Sequence, residues 1–353
     1  MKGKSGILSN VLTIGFITIS ANLATAQGFA GLGTSADGFA LPQPGHTFSF
    51  PDDYGTHPDF RIEWWYVTAN LIGPDGTPYG VQWTLFRSAL TPRQTDGWDS
   101  PQLWMGHAAI TTPDHQFVTE RLARGGIGQA GVTASPFAAW IDDWHLSGGM
   151  DAPEMAASGP DFAYNLHLQA TGPLVLQGDH GYSVKSSENR SSYYYSQPFY
   201  TISGKLTLPS GDVPVTGSAW LDREWSSQPL SADQTGWDWF ALNFDDGAKL
   251  MAYRLRNKNG STFGTATWIS EDGTTTLLHG PDFTATPLES HAVAGHHVPV
   301  HWRLQVPRFG VDVTIAAINP DAWMPTSVPY WEGPVTIEGS HAGHGYLEMT
   351  GHD

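Results

Sequence analysis

Polar and apolar residues alternate with a period of two along most of the chain after residue 45, which predicts β-strands. Alternating or aromatic-rich runs are separated by turn doublets such as Asp75-Gly76 and Asp246-Gly247. Helical periodicity is hard to find in the same region. We therefore predict an all-β, antiparallel fold.

Similar segments recur in the same order in the two halves of the chain, which indicates an internal duplication. The run from residue 65 to 87 has a counterpart from 239 to 256. Later, residues 195–204 resemble residues 330–339. An antiparallel sheet of about eight strands would close or nearly close into a barrel, which removes its edges. We therefore predict two tandem antiparallel β-barrel domains.

The first 26 residues have the pattern of a secretory signal peptide. Lys2 and Lys4 precede an apolar run from about residue 7 to 19, and Ala24-Thr25-Ala26 follows it. The apolar run is too short for a membrane-spanning helix. With no cysteine in the sequence, there is also no acceptor for a lipid anchor. The mature protein is expected to be periplasmic or secreted, with no stable membrane anchor.

Composition and the repeat together set the predicted boundaries. Residues 27–45 are rich in Gly, Ala and Pro without a period, which favours a linker or loosely tied arm. Each half closes on a short Thr-Gly segment, the first at 216–217 and the second at 350–351. The predicted order is a signal peptide at 1–26, an arm at 27–45, a first barrel at 46–217 and a second barrel at 218–353.

Charge and missing motifs narrow the function. Without Lys2 and Lys4, 15 basic residues stand against 34 acidic ones, a formal net charge of −19, which argues against nucleic acid and anionic lipid headgroups. The sequence has no G-x-S-x-G elbow, H-E-x-x-H pair, glycine-rich phosphate loop or cysteine nucleophile. The histidines of the second half lack a compact ligand spacing. No cofactor and no metal site are therefore expected.

A carboxylate directly against three aromatic residues stands out in the segment RIEWWYVTAN, residues 61–70. In a strand, Glu63 and Trp65 share one face while Trp64 lies on the other. A Glu63 buried among indole rings would have a raised pKa and could serve as a general acid. Alternatively, it forms an ion pair with Arg61 or Arg87 that holds the start of the strand in register.

Two further clusters repeat this theme of acids within aromatic residues. Asp222 and Glu224 lie on one strand face, with Arg223 and Trp225 alternating with them. This cluster could poise one proton or serve as a latch between the domains. The third cluster, at residues 237–240, is core packing unless its rings face an open cavity.

Three segments resemble the AttH-like secreted family, which is grouped with carotenoid 1,2-hydratase (hydroxyneurosporene synthase) as lipocalin-like proteins. They are HPDFRIEWWYVTANL from residue 57, LDREWSS followed by GWDWFALNFDDGAKLMAYRLR, and PYWEGPVTIEGSHAGHGYLEMTG ending at residue 351. The resemblance covers most of the mature chain. It implies that the two barrels are lipocalin-like, in agreement with the duplication.

The resemblance also implies a chemistry. The hydratase branch adds water to an isoprenoid double bond without a cofactor, and it usually has His where this chain has Arg223. Arginine cannot donate a proton near neutral pH. The candidate catalytic acids that remain are Asp222, Glu224 and Glu63.

Three functions follow as hypotheses. The first is binding of an apolar small molecule, a lipid or isoprenoid, in an aromatic-lined cavity near the junction of the barrels. The second is a cofactor-independent hydratase or isomerase acting on an isoprenoid-type alkene, and the third is an accessory protein of an envelope transport complex. The predicted ligand contacts are Trp64, Trp65, Tyr66, Arg87, Arg223, Trp225, Trp237, Trp239 and Tyr253.

Overall fold

The computed structural model describes residues 35–352. The predicted signal peptide, at 1–26, and residues 27–34 of the arm lie outside the described residues. Residues 35–45 form no strand and are attached to the first sheet. The amide of Gln43 donates to the hydroxyl of Tyr193 at 2.8 Å, and the amide of Ala40 donates to the carbonyl of Asp59 at 2.9 Å.

The described chain folds into two antiparallel sheets, which confirms the all-β prediction. We call the first sheet barrel 1 and the second barrel 2. Barrel 1 contains β1 (Ile62–Ile72), β2 (Pro78–Ala89), β3 (Gln102–Thr111), β4 (Gln116–Arg124), β5 (Ala130–Ala134), β6 (Phe137–Ile141), β7 (Trp144–Gly148), β8 (Glu154–Ser158), β9 (Ala163–Ala170), β10 (Val175–Leu176), β11 (Tyr182–Val184), β12 (Ser191–Leu208) and β13 (Gly211–Ser226).

Barrel 2 is smaller. It contains β14 (Gln234–Phe244), β15 (Lys249–Asn257), β16 (Thr262–Ile269), β17 (Thr275–His279), β18 (Thr284–Val293), β19 (His296–Val306), β20 (Val311–Ala317), β21 (Trp323–Met324), β22 (Tyr330–Gly339) and β23 (Gly343–Met349). Helix is confined, within residues 35–352, to short 3-10 turns at Asp52–Tyr54, Gly97–Asp99, Gly280–Asp282 and Pro307–Phe309. No helix in this range has the length and apolarity to cross a membrane.

The two sheets follow the same path. In each, the first four strands pair in sequence, and the last strand returns to lie beside the first. Thus β1 pairs with both β2 and β13, and β14 pairs with both β15 and β23. Among the described residues, the end strands of each path (β4 and β5, or β17 and β18) do not pair with each other. Each sheet therefore curls into a barrel that is not fully closed, as in a two-domain lipocalin-like fold.

Both predicted hairpin turns form. Asp75-Gly76 joins β1 to β2, and Asp246-Gly247 joins β14 to β15. The two glycines have φ angles of +85° and +92°, a region that side chains other than glycine rarely adopt. The turn residues thus set the register of the first hairpin in each barrel.

The division between the barrels lies later than the sequence predicted. β13 continues to Ser226 and pairs with β1 up to that residue. Barrel 2 begins with β14 at Gln234. The predicted boundary at 217/218 therefore falls inside a strand of barrel 1. The strand pairing places the boundary between residues 226 and 234.

The predicted boundary was too early because it aligned the Thr-Gly pair at 216–217 with the one at 350–351. The register places Gly217 opposite Ile202 on β12, and it places Gly343 opposite Ile337 on β22. Gly217 is therefore the structural counterpart of Gly343 rather than of Gly351. After its glycine, β13 runs on through the acidic cluster that the sequence had placed at the junction.

Large apolar side chains fill the interior of each barrel. Trp65, Trp83 and Trp144 are buried inside barrel 1, and Trp302 and Trp331 are buried inside barrel 2. A third buried cluster lies between the barrels and combines side chains from both, including Tyr66, Tyr194, Trp220, Trp239, Met251, Tyr253 and Tyr346. The outer faces of the two sheets thus pack against each other.

A glycine permits the closest approach between the barrels. A Cβ atom on Gly80 of β2 would lie 2.6 Å from the ring of Pro334 on β22, a distance that no real Cβ contact allows. Nearby, the side-chain amide of Asn70 donates to the carbonyl of Gly345 at 2.8 Å. This interface fixes how the two sheets face each other, and so it shapes the space between them.

Candidate active site

A cavity of about 390 Å³ lies between the barrels, a volume within the range of small-molecule sites. One wall comes from β1, β2, β3, β4, β12 and β13, and the other comes from β14, β15, β22 and β23. Most of the predicted site residues border it: Trp64, Tyr66, Arg87, Trp237, Trp239 and Tyr253, together with Asp222, Glu224 and Glu63.

Three predicted ligand contacts lie elsewhere. Trp65, Arg223 and Trp225 do not border the cavity; their side chains lie on the inner face of barrel 1. Glu63 shares this face; it borders the cavity, but its carboxylate is held by Arg87 and Arg223 on the inner side of barrel 1. Trp65 and Trp225 belong to the core of barrel 1, and the guanidinium of Arg223 stacks 3.8 Å from the ring centre of Trp65. The structure does not bring these three residues to the cavity.

Aromatic and aliphatic side chains line the cavity and extend to the protein surface. The rings of Tyr66 and Trp239 meet edge to face at the boundary between the barrels, with centroids 5.3 Å apart. On the other side, Leu103 and Leu122 border the cavity while remaining 43% and 62% exposed. The cavity therefore has an apolar mouth at the edge of β3 and β4.

Asp222 is fully buried and faces this cavity. Its carboxyl accepts hydrogen bonds from the hydroxyl of Tyr194 and the indole of Trp220, both at 2.7 Å, and from the hydroxyl of Ser196. Burial raises the pKa of Asp222 to about 7, although these hydrogen bonds act in the opposite direction. Asp222 can therefore hold a proton at neutral pH and give it to a molecule in the cavity.

Glu224 lies one position further along the same strand face and is held in an ion pair. Lys185 approaches its carboxylate at 3.0 Å, and Ser192 donates a hydrogen bond to it. Burial lowers the pKa of Lys185, but the charge of Glu224 reverses this and the net shift is upward. The ammonium also lies 4.2 Å from the ring centre of Tyr253. Glu224 thus serves as the counter-ion of a buried lysine.

Glu63 is not a general acid. Burial alone would raise its pKa, but the guanidinium groups of Arg87 and Arg223 lower it far below the usual value. Both arginines bond directly to its carboxylate, and His57 lies 3.2 Å from it. The alternative prediction of an ion pair with Arg87 is confirmed, and Arg223 joins it from β13. Glu63 stays ionised and holds three segments of barrel 1 together.

A second carboxyl, Glu348, is half-buried and faces the cavity from barrel 2; it was not predicted. The indole of Trp237 donates to it at 2.5 Å. Burial raises its pKa to about 7, and the charges of Asp222 and Glu224 act in the same direction. Its cross-strand neighbour Glu332 is buried, with a raised pKa.

The duplication relates these acids to each other. Asp222 lies opposite Tyr66 in the β1–β13 pair, and Glu348 lies opposite Trp239 in the β14–β23 pair. Each barrel also has an ionised carboxylate on its inner face. In barrel 2 this is Asp238, whose pKa burial would raise but which His352, Arg256 and Arg254 hold low. Aligning the sequence of β13 with that of β23 would have identified Glu348 as the counterpart of Asp222.

The two lipocalin-like barrels, with an acidic and aromatic cavity between them, place this chain in the class of two-domain lipocalin-like proteins. A family model described as AttH-like matches residues 41–352. The chain belongs to the AttH-like family, as its sequence segments indicated.

Solved structures agree with this assignment. The crystal structure of a provisionally assigned AttH from Nitrosomonas europaea has a TM-score of 0.81 and 34% identity, and the match covers 89% of this chain and all of that one. Kievitone hydratase from Nectria haematococca has a TM-score of 0.66 and 14% identity, over 89% of this chain and 96% of that one. CghA, in complex with Sch210972, has a TM-score of 0.56 and 12% identity, over 90% and 97%. At identities of 14% and 12%, kievitone hydratase and CghA are similar to this chain in fold alone. Among curated proteins, none matches the sequence.

Proposed function

We propose that this protein is a cofactor-independent hydratase that binds an apolar, isoprenoid-type alkene between its barrels. The observation that carries the proposal is Asp222, a buried carboxyl that keeps its proton near neutral pH and faces an aromatic-lined cavity. An acid of this kind is suited to protonate a carbon–carbon double bond.

The aromatic residues around Asp222 would stabilise the resulting positive charge. Tyr66 lies across the strand pair from Asp222, and Trp239 packs edge to face against Tyr66. The faces of such rings attract a cation, most strongly where water is excluded. Because the ring walls come from both barrels, the site is complete only when the barrels are packed together.

Glu348 supplies the matching base. Asp222 breaks its O–H bond to form a C–H bond with the alkene, and the adjacent carbon becomes cationic. A water molecule forms the new C–O bond and gives one proton to the carboxylate of Glu348. The alkene and one water thus become an alcohol, and a proton has moved from Asp222 to Glu348. Since both groups titrate near pH 7, one acid and one base are present together at neutral pH.

The comparisons support this proposal through the fold. Kievitone hydratase is similar to this chain in fold, and CghA, also similar in fold, was crystallised with Sch210972. Asp222 lies within one of the segments that resemble the family. Export by the predicted signal peptide would place this activity outside the cytoplasm and remains part of the proposal.

Isotope incorporation tests the proposed reaction. The purified mature protein is incubated with a panel of acyclic isoprenoid alkenes in ¹⁸O-labelled water, and the products are analysed by mass spectrometry. We expect an alcohol that contains one labelled oxygen with the wild type and none with Asp222→Asn. If wild type binds a panel member tightly but forms no alcohol, the protein is a binding protein; if it neither binds nor converts any, the proposal is wrong.

A further inference from the structure

The ion pair of Lys185 and Glu224 borders the cavity, yet the proposed hydration does not use it. Both side chains line the cavity, and both residues are nearly fully buried, with exposures of 8% and 4%. Burying two charges is unfavourable, and an apolar pair of similar volume is often at least as stable. The pair is therefore a candidate for binding a polar part of the ligand.

Barrel 2 fixes the position of Lys185, which lies in the connection between β11 and β12. The backbone carbonyl of Lys185 accepts a hydrogen bond from the side-chain amide of Gln234 at 2.9 Å. The hydroxyl of Tyr253 donates to the carbonyl of the preceding residue, Val184. Because Gln234 and Tyr253 belong to barrel 2, the packing of the two barrels holds the lysine against the cavity.

The ammonium group of Lys185 has more donors than partners. An ammonium has three N–H donors. Among residues 35–352, the structure gives this one a single acceptor, Oε1 of Glu224, at 3.0 Å. The rings of Tyr194 and Tyr253 flank it, with their centres 4.8 and 4.2 Å from Nζ, and ring faces attract the charge without supplying an oxygen acceptor. Donors therefore remain for an oxygen atom in the cavity.

The carboxylate of Glu224 offers an acceptor beside these donors. Lys185 and Ser192 both contact its Oε1, and Oε2 accepts no hydrogen bond from the residues that the structure describes. A hydroxyl group both donates and accepts, so it matches this adjacent donor and acceptor. A carboxylate ligand would match the lysine alone and would be repelled by Glu224.

We propose that Lys185 and Glu224 form a hydroxyl-binding subsite and that the ligand is an acyclic isoprenoid alkene that carries a hydroxyl group. The hydroxyl accepts a hydrogen bond from Lys185 and donates one to Oε2 of Glu224. This inference rests on the proposed function for the alkene. Glu224 follows Asp222 by two residues on one strand, a distance of about 7 Å. The hydroxyl and the double bond that Asp222 protonates should therefore be several carbon atoms apart.

Competition binding tests the subsite without turnover. Farnesol and β-farnesene share a carbon skeleton, but only farnesol has a hydroxyl group. Displacement of the fluorescent probe N-phenyl-1-naphthylamine gives the affinity of each compound for the wild type. We expect farnesol to bind about tenfold more tightly, near the lower end of what a hydrogen bond to a charged group contributes. Farnesoate, the corresponding carboxylate, should bind more weakly than farnesol.

A double variant tests whether the ion pair causes this preference. Lys185→Met/Glu224→Leu removes both charges together, so that neither remains buried without its partner. It should bind farnesol and β-farnesene with equal affinity. Lys205→Met is the matched control, because it makes the same lysine substitution in an ion pair with Asp212 that does not border the cavity. It should keep the tenfold preference.

Equal affinity of the wild type for the two compounds, or no binding of either, would overturn the subsite. A preference that persists in the double variant, or tighter binding of farnesoate than of farnesol, would do the same. The wild-type comparison decides the question even if the double variant does not fold. A preference for farnesol without any hydration product would keep the subsite and refute the proposed function, whereas hydration with equal affinities would refute the subsite alone.

Discussion

Glu63 and Asp222 are both fully buried carboxyls on paired strands of one sheet, yet they differ in charge. Glu63 lies between two arginines on the inner side of barrel 1 and stays ionised. Asp222 faces the cavity with neutral hydrogen-bond donors and holds its proton to about pH 7. Burial alone therefore does not mark a catalytic acid. The groups that contact each carboxyl, most of them on neighbouring strands, decide its protonation state.

Removing the charge of Glu63 should have the largest effect. Glu63→Gln leaves Arg87 and Arg223 buried without their counter-charge, and we expect a loss of about 3–5 kcal/mol in the free energy of unfolding. Urea-induced unfolding measures it. Asp222→Asn serves as the control, because it replaces a group that is largely uncharged below neutral pH. A loss below about 1 kcal/mol in Glu63→Gln, typical of a surface pair, would contradict the assigned ion-pair cluster.

Asp222→Asn should affect turnover instead. We expect the rate of hydration to fall at least about 100-fold, because a positioned general acid contributes at least this factor. Affinity for the alkene should change little, since the amide keeps the size and polarity of the carboxyl. Measuring kcat and binding separately checks this. Equal losses in both would indicate that Asp222 is a structural residue.

The two carboxyls should also give the protein opposite responses to pH. The folded-state pKa of Asp222 is raised, so its contribution to stability is complete below about pH 4 and is lost as the pH rises to about 7, at up to about 1.4 kcal/mol per pH unit. The pKa of Glu63 is lowered, so its contribution is present above about pH 4 and is lost as the pH falls further.

Unfolding free energies between about pH 5 and pH 7 isolate the first effect. Glu348, also raised to about 7, contributes in the same direction in both proteins. The wild type should lose stability relative to Asp222→Asn across this range. Parallel profiles for the two proteins would show that Asp222 is ionised throughout.

The cavity-facing member of a pair of adjacent tryptophans should give the smallest of the expected effects, and its neighbour serves as the contrast. Trp64 is half-buried and borders the cavity, whereas Trp65 is in the core of barrel 1. Trp64→Ala should cost about 1 kcal/mol of stability and weaken binding of the apolar probe N-phenyl-1-naphthylamine about tenfold, or about 1.4 kcal/mol. Trp65→Ala should cost about 3–5 kcal/mol and leave probe affinity unchanged in the folded fraction. A reversed pattern would place the ligand site inside the barrel.

Strand periodicity explains why much of this arrangement could be predicted. The alternation of Glu63 and Trp65 with Trp64 and Tyr66, and of Asp222 and Glu224 with Arg223, is a local property of a strand. Which face meets the cavity depends on how barrel 2 docks, and that is set by contacts far apart in sequence, such as Asn70 with Gly345.

The residues that sequence reasoning missed lie where local pattern gives no signal. Lys185 lies in the connection between β11 and β12, which has no periodicity to interpret. Glu348 lies on the closing strand of barrel 2, and the misplaced alignment of the Thr-Gly pairs hid its equivalence with Asp222. Tyr194 was not among the predicted site residues, although its hydroxyl bonds to Asp222.

The protonation state of Asp222 is the central claim, and infrared titration of the wild type against Asp222→Asn tests it most directly. The wild type should show a protonated carboxyl band that disappears with a midpoint near pH 7, and this component should be missing from Asp222→Asn. A titration with no band lost near neutral pH, or an identical loss in the variant, would contradict the account.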